Sequence, residues 1–196
     1  MKILNLFPLT IAEDVIVIDD QERKKLIIEI EKMKMEKDKT IKSSYAWTGD
    51  TKGHEFLFSN IIFKNLANKI SKAVINYLKI FEINTDLLDI YFQRSWATYT
   101  ETEQKINFHT HSQSNISFAY YLLKPKESGG IIFRSNEFQN EVAKNIFTSS
   151  KMEKSLIHKA NVYNSDKSMF DPIQDSIIIF PTPIWTMQLN NYENVN

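Results

Sequence analysis

At about Asn84 the chain changes texture, and that switch limits its fold more than any other feature. Before it, apolar residues recur at helical spacing among charges; after it, they gather in short β-branched and aromatic runs parted by turn residues. Residues 3–18 read as extended, with Phe7-Pro8 interrupting the run. Leu26, Ile30 and Met33 predict an amphipathic helix from Asp20 to about Lys37. Leu57, Ile61, Leu66, Ile70, Val74 and Leu78 predict a second from about Glu55 to Phe81, after a loop over 38–54 that carries Trp47-Thr-Gly-Asp50. Strands are expected at 90–99, 116–123, 131–134, 155–164, 175–180 and 184–189, with a turn at Gly129-Gly130 and a long polar loop over 136–152. Two helices followed by short strands make an α+β chain, with helices buttressing a β-sandwich or barrel. A single domain over residues 1–196 is expected, with its helical buttress at about 20–82 and its β core at about 87–190.

Composition removes several function classes. Hydrophobic residues at 42% and charged residues at 24% exclude wholesale disorder. Lysine plus arginine, 24, equals aspartate plus glutamate, 24, so no basic surplus exists to grip nucleic acid by bulk charge. The lysines over 32–42 are interleaved with Glu31, Glu36 and Asp38 and read as a solvated face. Cysteine is absent, so any metal must be held by His, Asp, Glu or backbone oxygen. The longest apolar runs, such as Ile177 to Phe180, are far short of the roughly 20 residues that cross a bilayer. The expectation is a soluble, cytoplasmic protein with no membrane partner. A homodimer through the helical face stays open. There is no phosphate-binding glycine loop, nucleophile elbow or His-Glu-x-x-His.

The histidines are His54, His109, His111 and His158. In an extended segment, His109-Thr-His111 would turn both imidazoles to one face, the geometry for two ligands on one Fe, Zn, Ni or Cu ion. The bland alternative is a pair of surface histidines in a polar hairpin ending in Ser112-Gln-Ser114. The strongly β run that follows, Ile116-Ser-Phe-Ala-Tyr-Tyr-Leu122, favours a site at the mouth of a barrel.

Several segments together resemble the 2-oxoglutarate/Fe(II)-dependent oxygenases common in marine phages and bacteria. They are Gln93-Arg-Ser-Trp96, His109-Thr-His111, Ile116 to Leu122, Gly129-Gly-Ile-Ile-Phe133 and Asp175-Ser-Ile-Ile-Ile-Phe-Pro-Thr182. Leu6-Phe7-Pro8 is similar to that family's opening, and Trp47 with the second helix to its Trp loop and helix. The resemblance implies a double-stranded β-helix, a jelly roll buttressed by the two helices, and hydroxylation coupled to oxidative decarboxylation of 2-oxoglutarate. It assigns Fe(II) to His109 and His111, and offers Tyr120 and Tyr121 for the pocket or the 2-oxoglutarate cosubstrate, with core packing as their alternative; Arg134 could take over binding of the cosubstrate's carboxylate, with a surface role as its alternative. A phage-encoded protein would work in the host cytoplasm.

The sequence departs from that pattern at one end. Where the family carries a distal His, this chain has Trp185 and Thr186, and the family's final Arg-bearing strand is not reached by Asn196. A truncated chain, a non-catalytic relative, or replacement of the third ligand by His158 (or His54) would each account for this. The rival readings are a cupin-type metal protein, which would lack its usual Glu after His-x-His, and a purely structural or partner-binding jelly roll without turnover. The substrate leaves no sequence signature.

Overall fold

The structure is a computed structural model that describes residues 1–37, 44–126, 128–135, 140, 161 and 163–189. In chain order its elements are β1 (Ala12–Val15), α1 (Asp20–Lys37), β2 (Trp47–Thr48), α2 (Lys64–Lys79), β3 (Thr98–Tyr99), β4 (Lys105–His109), β5 (Ile116–Tyr120), β6 (Ile131–Arg134), β7 (Lys167–Phe170), β8 (Ser176–Pro181) and β9 (Trp185–Leu189). All strand pairings are antiparallel. They form a three-stranded sheet in the order β1-β8-β5, a four-stranded sheet in the order β4-β9-β6-β7, and a small β2-β3 ribbon. Mixed helix and antiparallel sheet of this kind is compatible with the expected β-sandwich.

β8 explains how the parts meet. Its run Ile177-Ile-Ile-Phe180 is apolar at every position because both faces of the strand are covered. Ile177 and Ile179 join Leu26 and Met33 of α1 and Leu66, Ile70 and Val74 of α2 in one core. Ile178 and Phe180 point the other way and meet Ile131 and Phe133 of the second sheet. Phe133 packs edge-on against Phe180 at 5.0 Å and against Phe170 at 5.5 Å. β5 divides the same way: Ile116, Phe118 and Tyr120 face the helices, while Ala119 and Tyr121 face the inter-sheet core.

The α1 stripe holds an ion. Arg23 precedes Leu26 and Met33 on the buried face, and its guanidinium donates to both Asp175 oxygens, at 2.9 and 2.8 Å, and to the carbonyls of Leu122 and Ile18. The Tyr120 hydroxyl sits 2.7 Å from the same carboxylate.

Several sequence expectations shift. The second helix begins at Lys64, not Glu55; before it lie two tight turns, Leu57–Ser59 and Ile61–Phe63. The backbone N–H of Leu57 donates to the Ser95 carbonyl, that of Phe58 to Ser95 Oγ, and that of Ile62 to Asn60 Oδ1. Those bonds take the donors that helical turns would use, and Ile61 is left exposed. The run over 90–99 forms a strand only at Thr98–Tyr99. β7, Lys-Ser-Met-Phe, is a short edge strand whose sequence carries no apolar run. Of the strand expected at 155–164, only 161, 163 and 164 are described, and Asn161 and Asn164 form a turn there, the Asn164 N–H donating to the Asn161 carbonyl. At the Gly129-Gly130 turn, Gly129 has φ 79°, and a Cβ on Gly130 would collide with the Phe170 carbonyl oxygen.

Candidate metal centre

β4 delivers His109 as its last residue, and His111 follows two positions on. The rings stand 4.8 Å apart between centroids in an edge-to-face arrangement. The carbonyl of Asn107 lies 2.9 Å from His109 Nδ1, which sets that nitrogen as the donor and leaves Nε2 with its lone pair. His111 is wedged between Trp96, at 5.6 Å, and Phe180 of the inter-sheet core, at 6.5 Å. The segment after it is closed by bonds from the Ser114 backbone N–H and hydroxyl to the His111 carbonyl, at 3.1 and 3.3 Å. Ser114 Oγ in turn lies 3.0 Å from Thr182 Oγ1, and Ser117 Oγ 3.3 Å from it, tying this turn to the end of β8.

The electrostatics favour a neutral ligand. Burial pushes the His111 imidazole down to about 4, the charges of His109 and Arg94 push the same way, and Asp50 opposes them. A neutral imidazole is what coordination requires.

Two residues beside the pair were given no site role by the sequence, although both stand in the Gln93-to-Trp96 segment that carries the resemblance. Arg94 and Trp96 flank Ser95, whose N–H donates to the Glu55 carbonyl at 2.8 Å and whose carbonyl accepts from Leu57. The Arg94 guanidinium lies 5.5 Å from the Trp96 ring centre. Their signal was available: two residues apart in an extended segment, they share a face. Asp50 reaches the same side because the Gly49 N–H donates to Ala97 O at 2.9 Å.

The other candidate residues lie elsewhere. Tyr120 is not brought to the pair: it sits on the helix-facing side of β5, with its hydroxyl against Asp175 and the Ile16 carbonyl. Tyr121 lies on the inter-sheet side, its buried hydroxyl making no hydrogen bond among the described residues, and burial raises its pKa. Arg134 follows inward-facing Phe133, so it turns outward, over the Phe108 ring and 3.3 Å from Asp166. His54 packs near Trp47, with 6.4 Å between ring centres. His158 lies outside the described residues.

Directly across from His109 on β9 stands Thr186, which is also the partner of Phe133 on β6 and is 3% exposed. Partners across an antiparallel pair share a face, so Thr186 occupies the position from which a third side chain would meet the pair. Among the described residues no group of three His, Asp or Glu side chains converges. The described residues therefore bring two imidazoles together here, and none of them adds a third metal-ligating side chain.

Residues 94–192, half of the chain, match the family described as "Putative 2OG-Fe(II) oxygenase". No curated protein matches the sequence. No helix among the described residues is long and apolar enough to cross a membrane.

Proposed function

This chain belongs to the 2OG-Fe(II) oxygenase family, and from that premise we propose that it binds Fe(II) through His109 and His111 and uses 2-oxoglutarate in a hydroxylase-type oxidation. The observation that carries the reading is the pairing of the two rings, 4.8 Å apart, against the wall made by Trp96 and Phe180. The proposed scaffold is a double-stranded β-helix with the pair at its mouth. Bound there, Fe(II) would supply a centre at which dioxygen and the 2-oxo acid meet. The chain's own part is to hold two imidazoles, that of His111 kept neutral by burial, to keep His109 Nδ1 against the Asn107 carbonyl, and to exclude water with Trp96 and Phe180. The Tyr121 hydroxyl, on the inter-sheet side and without a hydrogen bond among the described residues, suits a polar group of the cosubstrate. The third ligand would come from His158 or from water. Cytoplasmic localisation agrees with this chemistry.

A second reading has its own support. Thr186 opposite His109 favours a jelly roll that retains a weak metal or ligand site without turnover. Anaerobic Fe(II) titration of the wild type against the His109→Ala/His111→Ala double variant tests the metal, and succinate release from 2-oxoglutarate tests turnover. Equal, negligible Fe(II) binding by both proteins would remove the oxygenase reading. Binding that depends on the pair but yields no succinate would favour the second.

A further inference from the structure

Two stretches of the described surface leave large apolar side chains in solvent. Residues 1–10 lie outside any helix or strand, and Ile3, Leu4, Leu6, Phe7 and Leu9 are all exposed. Phe7 is the extreme case. It is 91% exposed and takes φ 57°, a conformation that a bulky residue adopts at a cost, with no packing to offset it. The second stretch follows α2, where Ile80, Phe81, Leu87, Leu88, Ile90 and Tyr91 are exposed. The two are neighbours. The Tyr77 hydroxyl donates to the Thr10 carbonyl at 2.9 Å, and the Tyr77 ring packs edge-on against Phe81 at 5.0 Å. Together they make one apolar face beside the C-terminal end of α2.

We propose that this face pairs two copies of the chain about a two-fold axis, with residues 3–9 of each lying on residues 80–91 of the other. Area is the first reason. Taking about 200 Å² for a fully exposed aliphatic residue and about 250 Å² for an aromatic one, each stretch offers on the order of 700 Å². The largest apolar patch of an ordinary monomer is about 300–600 Å². Covering about half of the combined face reaches the roughly 800 Å² per partner of a stable interface. Charge is the second reason. Lys2 is the one charged side chain in residues 1–10, whereas 80–92 carries Glu82, Asp86 and Asp89 and no base. All four are exposed, and none makes an ion pair among the described residues. Pairing unlike stretches sets Lys2 near the acids in both halves of the interface, whereas like on like would set acid against acid. Within one chain the two stretches leave each other exposed, and a second copy supplies both complements at once. The three acids also disfavour an anionic lipid surface as the cover. Pairing of this kind is independent of any metal at His109 and His111.

Sedimentation equilibrium of the full chain from about 1 to about 100 μM measures the pairing. Wild type should be a dimer at the upper end. Phe7→Glu and Leu87→Lys each put a charge on the apolar face and should weaken dimerisation about tenfold or more. Both positions are exposed, so circular dichroism should show either variant folded as wild type. The lack of cysteine gives a second measurement that misfolding cannot mimic. Leu6→Cys and Leu87→Cys proteins, mixed and oxidised in air, should form the mixed disulfide-linked dimer in preference to either like pair. A wild type still monomeric at about 100 μM, a dimer that neither charge variant weakens, or like-pair disulfides in preference to mixed ones would overturn the proposal. A monomer that sediments with phosphatidylcholine vesicles, and loses that association in Phe7→Glu, would overturn it in favour of a lipid surface.

Discussion

Asp175→Asn is the sharpest probe of what holds the helices to the first sheet. The substitution keeps the shape of the side chain and suits the backbone, since Asp175 has φ 69° and Asn tolerates that region well. It removes only the charge that faces Arg23. The side chains of Arg23 and Asp175 retain 10% and 12% of their exposure. Breaking such a buried pair costs about 3–5 kcal/mol, because the surviving ion is left uncompensated. The residual exposure and the two carbonyls that also receive Arg23 argue for the lower end, about 3 kcal/mol. With a urea dependence of about 2 kcal/mol per molar, the unfolding midpoint should fall by about 1.5 M. The pH dependence adds a second signature. Burial alone would raise the Asp175 carboxyl, but hydrogen bonds from Arg23 and Tyr120 hold it below the usual range. A carboxyl depressed in the folded state contributes its full stability above the unfolded value of about 4. That contribution is lost as pH falls through the folded value. The gap between wild type and Asp175→Asn should hold from pH 7 to about pH 5 and narrow in stronger acid. Urea unfolding followed by far-UV circular dichroism at pH 7, 5 and 3 measures both. A midpoint shift under about 0.3 M at pH 7, or a gap that widens in acid, would refute the argument.

Three further outcomes follow from named contacts. Thr186→His should raise Fe(II) or Co(II) affinity at least tenfold by adding an imidazole across from His109, at an overpacking cost of about 1–3 kcal/mol against Phe133; anaerobic metal titration and thermal melting measure the two effects. Gly130→Ala should cost about 1–3 kcal/mol, read as a lower melting temperature, because the added methyl meets the Phe170 carbonyl and β7 must shift. In the metal-free protein, NMR should show the His111 ring staying neutral from pH 8 to about pH 5, with stability falling as pH drops below about 6.5, where the unfolded chain takes the proton more readily than the folded one.

The sequence told most where one residue's role followed from its own period. The α1 stripe at Leu26 and Met33, the α2 stripe at Leu66, Ile70 and Val74, and the strands at 116–120, 131–134 and 176–181 stand near where spacing put them. The close approach of His109 and His111 needed only the two-residue repeat. What stayed hidden depends on partners distant in the chain. Arg23 looks like any exposed helix charge until Asp175, 152 positions away, fills the space beside it. Tyr120 and Tyr121 look interchangeable in sequence, but adjacent strand positions face opposite ways, and only the packing of β8 shows which one meets the helices. The turns at Leu57–Ser59 and Ile61–Phe63 defeat helical spacing because Ser95 and Asn60 supply acceptors that spacing does not register.

That same alternation puts the buried ion pair and the histidine pair on different sides of one sheet. Ile177, Ile179 and Tyr120 face the helices, where Arg23 and Asp175 lie. Phe180 faces the second sheet and touches His111, while Ser117, its register partner on β5, bonds with Thr182 near the histidine turn. A perturbation of the ion pair reaches the proposed metal site only if β8 itself moves, because no side chain of the pair projects to that face. Asp175→Asn should therefore lower the unfolding midpoint yet leave Fe(II) affinity within about twofold of wild type, whereas Ser117→Val, on the histidine side, should loosen the turn at Ser114 and weaken metal binding with a smaller loss of stability. Equal metal loss from both variants would show that the two faces are mechanically coupled through β8, and the separation argued from strand parity would fail.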